Sequence, residues 1–214
     1  MKWFTTPYGR KNLEALTGTA LLAFLIEHLA ANILLLLNDP SWYQWYTNTL
    51  GHSLIVRGLE AVLFATFAIH IGIGLMMRMQ YRRMMAKNPR AKRPKDYTSR
   101  FVGLTGIIIL IFLIIHLWHF FIPNRILVTK DLDLYHQAQS SFSSLWYTLF
   151  YVACMVALAM HLKHGIRSAL FSFKFIKPSL VPRIRNVVMV VGLLTPLGLA
   201  YIAVHIFVRS LLVG

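Results

Sequence analysis

Five apolar runs of about 20 residues, at about 16–37, 54–77, 101–122, 145–167 and 187–208, leave this chain few folds to choose from. A helix of that length crosses a hydrocarbon layer about 30 Å thick. Lipid offers backbone N–H and C=O groups no partners, so each run must satisfy its own and become a helix. The expected fold is an all-α integral membrane protein, one membrane domain over 1–214, with four spans in a bundle and a fifth beside it. With 57% hydrophobic and 14% charged residues, the chain is too apolar for an ordinary soluble domain. Lys2, Arg10 and Lys11 precede the first run as they would a signal peptide. That run is too long for one and is interrupted by Glu27 and His28, so it is expected to span.

The basic residues give an orientation. Eighteen of the 22 Lys and Arg lie in the N-terminal segment, in 78–100 and in 162–186, whereas Arg57, Arg125, Lys130 and Arg209 hold the alternate side. Lys and Arg collect on the cytoplasmic side, so the N-terminus is expected inside and the C-terminus outside. A net charge of +15 on a soluble chain would suggest nucleic acid. Here topology and contact with anionic membrane lipids account for it, and the basic stretches have no nucleic-acid recognition fold. A second use of the basic face is to dock a soluble partner. The polar segments between spans are short, so a catalytic domain would have to be another chain. The single cysteine, Cys154, excludes a disulfide framework and a thiolate metal centre. Any metal must be held by nitrogen or oxygen, or inside a cofactor.

Histidine placement is the strongest functional signal. Of nine histidines, His28, His70, His116, His119, His161 and His205 lie within the spans or at their margins, with His164 at the inner end of span four. An imidazole at membrane depth is costly unless something engages it. Alternate spans run in opposite directions, so position along the chain converts to depth. His28 and His116 then share an outer layer, and His70 and His161 an inner one. Two histidine pairs on four antiparallel helices are what a bundle needs to hold two b-type haems by bis-imidazole ligation, the four histidines being the axial ligands of the irons. Iron with both axial positions taken favours electron transfer over oxygen chemistry. Asn32, Thr66, Gly74, Ala157 and Gly165 lie one turn from these histidines and leave space for a flat macrocycle, although small residues also serve ordinary helix packing. His119 follows His116 by three residues and His164 follows His161 by three, so each shares a helix face with its neighbour. They are placed as propionate or proton-transfer groups rather than axial ligands.

The segments FLIEHLAAN, FAIHIGIG, TGIIILIFLIIHLWHF and MHLKHGIRSA, taken with helix number and orientation, resemble the single-chain, five-helix, di-haem cytochrome b subunit of bacterial succinate dehydrogenase or fumarate reductase. The resemblance covers nearly the whole chain. It implies a proximal haem on His70 and His161 and a distal haem on His28 and His116. It further implies a multi-pass protein of the bacterial cytoplasmic membrane, with a covalent-flavin flavoprotein and an iron–sulfur subunit docked on the basic face. The dicarboxylate chemistry would lie on those subunits, and electrons would pass between them and menaquinone or another quinone. The cytochrome b subunit of a hydrogenase, formate dehydrogenase or nitrate reductase is an alternative from the same broad class. A transporter with proton-relaying or metal-binding histidines is an alternative from another.

Quinone reduction needs donors and protons, so ionisable groups in the spans are further candidates. Glu60, ten residues before His70, is the leading one for proton transfer or the quinone site, the alternative being a helix-start acid paired with Arg57. Glu27 is a second. His205 is a candidate for a propionate or quinone, and Arg10 and Lys11 for proximal propionates. Pro196 is expected to bend span five. Trp42, Trp45 and Tyr46 read as an interfacial aromatic belt, and the methionines of 76–85 as packing residues.

Overall fold

A computed structural model describes residues 6–37, 39–51, 53–88, 97–127, 133–173, 177 and 179–213. Of the basic residues used for orientation, Lys2, Arg90, Lys92, Arg93, Lys95, Lys130 and Lys174 lie outside them.

The described residues form helices α1 (Pro7–Ile33), α2 (Ser41–Gly51), α3 (Leu54–Lys87), α4 (Tyr97–His116), α5 (Ile122–Arg125), α6 (Leu134–Phe142), α7 (Leu145–Ser172) and α8 (Val181–Val213). A 3-10 turn, Leu34–Leu36, ends α1, and a π-helical turn, Leu117–Phe121, joins α4 to α5. Five helical stretches are long and apolar enough to cross a membrane: Pro7–Leu36, Leu54–Lys87, Arg100–Arg125, Leu145–Ser172 and Val181–Leu212. Several overrun the apolar runs, because a helix continues past the hydrocarbon edge as long as its backbone stays paired. The segments expected to be plain connections contain α2 and α6.

Local chemistry accounts for the helix ends. Thr6 caps α1 by accepting the Gly9 N–H at 3.0 Å, and Pro7 occupies a first-turn position where no N–H is needed. Asp133 caps α6 by accepting the Tyr135 N–H at 2.9 Å. The π turn has a cause in Pro123, which has no N–H and crowds the carbonyl four residues back, that of His119. That carbonyl accepts a 2.7 Å hydrogen bond from Gln137 Nε2 instead, which ties α6 to α4, while the Ile122 N–H reaches back to Leu117. Pro196, by contrast, is accommodated inside an unbroken α8.

α7 is the central post, packed against α8, α4 and α1. α1 packs in turn on α3, α7 and α8, while α3 and α4 meet only briefly. The four helices α1, α3, α4 and α7 therefore surround a central space, and α8 braces α1 and α7 from behind. Leu22, Cys154, Met155, Leu158, Leu162, Ile166 and Leu170 form one core along this brace. Leu35, Tyr135, Ala138, Phe142, Tyr151, Ile202, Ala203 and Ile206 form another, where α6 caps the bundle.

In lipid, helices associate through close packing more than through hydrophobic transfer, so glycines at crossings matter. Gly198 is one such point, since a Cβ there would lie 2.8 Å from Leu29 Cδ1 on α1. Gly198→Ala is expected to push the Leu29 side chain aside and overpack this crossing, at the low end of the range of about 1–3 kcal/mol for such changes. The measurement is the thermal midpoint in detergent, which should fall relative to Gly72→Ala, where a Cβ meets nothing within 4 Å.

Candidate functional site

The space between α1, α3, α4 and α7 is a cavity of about 1080 Å³ with a mainly apolar wall. Ligand pockets commonly run to about 300–1,000 Å³, so this one is large for a single small molecule. His28, His70, His116 and His161 all line it.

The four imidazoles meet in two pairs. The His28 and His116 ring centroids are 5.8 Å apart with the planes at 87°, and those of His70 and His161 are 6.3 Å apart at 78°. The helices set this spacing. On α1, Gly18, against which the His70 ring rests, is ten residues before His28. On α4, Gly106, which bears on His161, is ten before His116. At 1.5 Å per residue, ten residues separate the two layers by about 15 Å along the bundle. The offset recurs on the other two helices, where Glu60 precedes His70 by ten and Tyr151 precedes His161 by ten.

Each layer is seated by glycine and by polar neighbours. A Cβ at Gly18 would lie 3.3 Å from His70 Cε1, and one at Gly106 would lie 3.5 Å from His161 Cε1. Thr17 Oγ1 is 3.2 Å from His70 Nδ1. The Thr17 hydroxyl already donates to the Leu13 carbonyl at 2.8 Å, so toward His70 it can only accept. This arrangement suits the tautomer of His70 with its proton on Nδ1, which leaves Nε2 as a lone-pair donor. Tyr151 Oη lies 3.1 Å from His116 Nδ1 and 3.0 Å from Tyr147 Oη. If His116 gives its Nδ1 proton to Tyr151, and Tyr151 its own to Tyr147, Nε2 of His116 is free in the same way. His161 Nδ1 is buried with no hydrogen-bond partner among the described residues. The second nitrogen of a metal-binding histidine is commonly engaged, as those of His70 and His116 are, which fixes ring orientation and ligand basicity.

The geometry fits a metal held between each pair. An imidazole–metal bond is about 2 Å, so two rings facing one metal have centroids about 6 Å apart. Among the described residues, no group of three or more His, Cys, Asp or Glu side chains could hold a bare metal ion. Two nitrogens alone do not complete a shell, so a metal here needs a cofactor that brings its own remaining ligands. A macrocycle that brings four ligands of its own would meet this need, and the apolar cavity with its glycine-lined walls has room for a flat one.

Polar residues gather at the two ends of the cavity. One end is basic, with Lys11, Arg78, Arg100 and His164 lining it, and the Arg78 guanidinium lies across Gly103. Arg10 does not line the cavity; its Nη1 lies 3.8 Å from Met76 Sδ on α3. At the other end Glu60 lines the cavity and is ion-paired with Arg125 at 2.8 Å and with Arg57 at 3.5 Å. Asn32, Tyr43 and Asn124 line the same end.

Three candidates sit elsewhere. Glu27 is exposed on the outer side of α1, where it accepts a hydrogen bond from the Tyr46 hydroxyl of α2. His119 Nε2 pairs with Ser141 Oγ at 2.9 Å on α6, because the π turn after His116 removes the shared face that plain α-helical spacing would give them. His205 lies against Tyr201, itself largely exposed, with the rings tilted by 37°, and does not line the cavity. Of the small residues flanking the histidines, Asn32, Gly74 and Gly165 line the cavity and Thr66 and Ala157 do not. Glu14, Thr17, Gly18, Gly106 and Tyr151 were absent from the sequence reading. The ten-residue offset from a histidine is the signal that would have found the two glycines and Tyr151.

The end opposite the basic one is closed by α2 and α6. Asp133 joins them, accepting Gln44 Nε2 at 2.6 Å and His136 Nδ1 at 2.6 Å in addition to its capping bond. Tyr135 Oη donates to the Leu37 carbonyl at 2.9 Å, which ties α6 to the end of α1. Burial pushes Tyr43 up to about 12, with the Asp133 charge adding to it, so Tyr43 stays a neutral phenol at the cavity edge. Partial burial opposes ionisation of Asp133, but its hydrogen bonds from His136, Gln44 and the Tyr135 N–H outweigh that and hold its carboxyl below the ordinary 3.8. A carboxyl with a lowered folded-state value stabilises the cap above its unfolded value and loses that contribution as pH falls through the folded one. Amide exchange in α6 is therefore expected to speed up as pH drops below about 4, after correction for intrinsic rates. Asp133→Ala should give the faster exchange already at neutral pH, at a cost of about 1 kcal/mol for the lost cap, whereas Asp133→Asn keeps most of it.

Comparison with family models, with curated proteins and with solved structures finds no match to this chain.

Proposed function

We propose that this chain is the cytochrome b membrane anchor of a succinate:quinone oxidoreductase, a succinate dehydrogenase or fumarate reductase. In this role it holds two b haems and carries electrons between a docked iron–sulfur subunit and a membrane quinone such as menaquinone. The observation that carries the reading is the pairing of His28 with His116 and of His70 with His161 across one cavity, at the separation two imidazoles adopt around a single metal. The identity of the complex rests on the family resemblance of the four histidine-bearing segments.

His70 and His161 would hold one haem near the basic end, and His28 and His116 the other. When bound, the two groups supply one-electron carriers stacked along the bundle. The chain's own residues do the rest: Thr17 and Tyr151 engage Nδ1 of His70 and His116, the apolar wall excludes water, and Lys11, Arg78, Arg100 and His164 offer cationic partners for propionates. Glu60, paired with Arg125, is the ionisable group at the far end of the cavity and the leading candidate for the quinone and proton site. On the expected topology the basic end faces the cytoplasm and docks the flavoprotein and iron–sulfur subunits, in a bacterial cytoplasmic membrane.

The test is a dithionite-reduced minus oxidised visible spectrum of the purified chain, with a pyridine haemochrome assay. Two b haems per chain are expected, and succinate should reduce them in the native complex. Haem without reduction by succinate would move the chain to a hydrogenase-type or formate dehydrogenase-type complex. Folded protein with no haem would end the cytochrome reading and favour a transporter.

A further inference from the structure

Glu14 is a carboxylate that the proposed electron-transfer role does not use. It lies on α1 fourteen residues before His28, within about 40° of the same helix face at 100° per residue. It lines the cavity beside the basic-end pair, with Oε1 3.7 Å from His70 Nδ1. Its Oε2 is buried and has no hydrogen-bond partner among the described residues. An unpartnered carboxylate oxygen at this depth is costly, so its retention calls for a reason.

The backbone is shaped to admit it. Gly74 follows His70 by one turn of α3, and a Cβ at Gly74 would lie 3.1 Å from Glu14 Oε1, tighter than ordinary contact. Gly18, one turn beyond Glu14 on α1, receives the His70 ring in the same way. α1 and α3 thus interlock: the imidazole of α3 enters at the glycine of α1, and the carboxylate of α1 enters at the glycine of α3. Thr17 and Glu14 approach the same nitrogen of His70, the hydroxyl at 3.2 Å and the carboxyl oxygen at 3.7 Å, just beyond hydrogen-bond distance. At the other pair, the group against His116 Nδ1 is the phenol of Tyr151, and Glu60 of that end is held in ion pairs with Arg125 and Arg57.

We infer that Glu14 is a positioning residue of the basic-end centre: acting through His70, it makes that histidine a more electron-donating ligand and lowers the reduction potential of the basic-end haem relative to the same site without it. Outer-sphere carboxylates raise the basicity of a ligating imidazole, and a negative charge in a low-dielectric site favours the oxidised metal. The inference rests on the haem reading proposed above.

The test is a redox titration of the visible spectrum of purified Glu14→Gln, Glu14→Asp and Gly74→Ala chains beside the parent. In Glu14→Gln the ratio of reduced to oxidised basic-end haem at a fixed poise is expected to rise about tenfold, which is 59 mV for a one-electron couple. The other haem should not move. Glu14→Asp, which restores a carboxyl group, should return most of the way to the parent. Gly74→Ala, which pushes the carboxylate aside without removing it, should shift the same haem upward. If Glu14→Gln does not retain that haem, Gly74→Ala carries the test. An unchanged basic-end potential in a variant that keeps both haems, or an equal shift of both, overturns the inference and leaves the haem reading standing. A parent chain without haem overturns the haem reading itself.

Discussion

His70→Ala and His161→Ala are each expected to remove one haem and keep the other, taking haem content from about two to about one per chain. His28→Ala and His116→Ala should remove the opposite one, so the two classes of variant leave spectrally distinct remainders. The reason is geometric. The rings of each pair are 5.8 or 6.3 Å apart, whereas the layers are about 15 Å apart along the bundle, too far for a histidine of one layer to replace a missing ligand in the other. His119 and His164 follow axial candidates by three residues, so they are the natural substitutes. His119 is committed to Ser141 on α6 and stays out of the cavity, so His116→Ala should not be rescued by it. Alanine in place of a buried imidazole also leaves a void, so folding is checked by detergent size-exclusion chromatography. If haem is retained in both His70→Ala and His161→Ala, the basic-end assignment is wrong.

Gly106→Leu should abolish the same basic-end centre without touching a histidine. The His161 ring lies against Gly106, where a Cβ would sit 3.5 Å from Cε1. That is an ordinary contact, so Gly106→Ala should keep two haems. The three further carbons of leucine have nowhere to go except into the ring or the cavity, and a displaced ligand loses its metal even when its own chemistry is intact. The expected haem content is about one per chain for leucine and about two for alanine, read by the same pyridine haemochrome assay. Equal haem content in the leucine and alanine variants would mean that Gly106 does not seat His161.

Much of the layout could be read from the chain because membranes impose simple rules. Apolar length predicts the spans, and each one appears as a helix. Depth assigned the four histidines to two layers, and the structure brings together His28 with His116 and His70 with His161, the pairs that depth selects. The rest was hidden for identifiable reasons. α2 and α6 are short and polar and have no apolar period to announce them; what holds them is Asp133, whose partners Gln44 and His136 come from two different segments. Glu14 falls just before the first apolar run, in a helix that begins earlier than that run does.

By itself, the sequence determined five helices long and apolar enough to cross a membrane and the relative heights of the four imidazoles along them, because backbone pairing in lipid and the 1.5 Å rise admit little else. Which face each residue presents was decided only in the tertiary structure. The π turn at Leu117–Phe121, forced by Pro123 and stabilised by Gln137, turns His119 toward α6 and leaves His116 in the cavity. Glu27 and Glu60 are both acids in apolar runs. Helix packing sends the first out to Tyr46 and the second inward to Arg125, because a side chain's partners depend on the neighbouring helix and not on its own span.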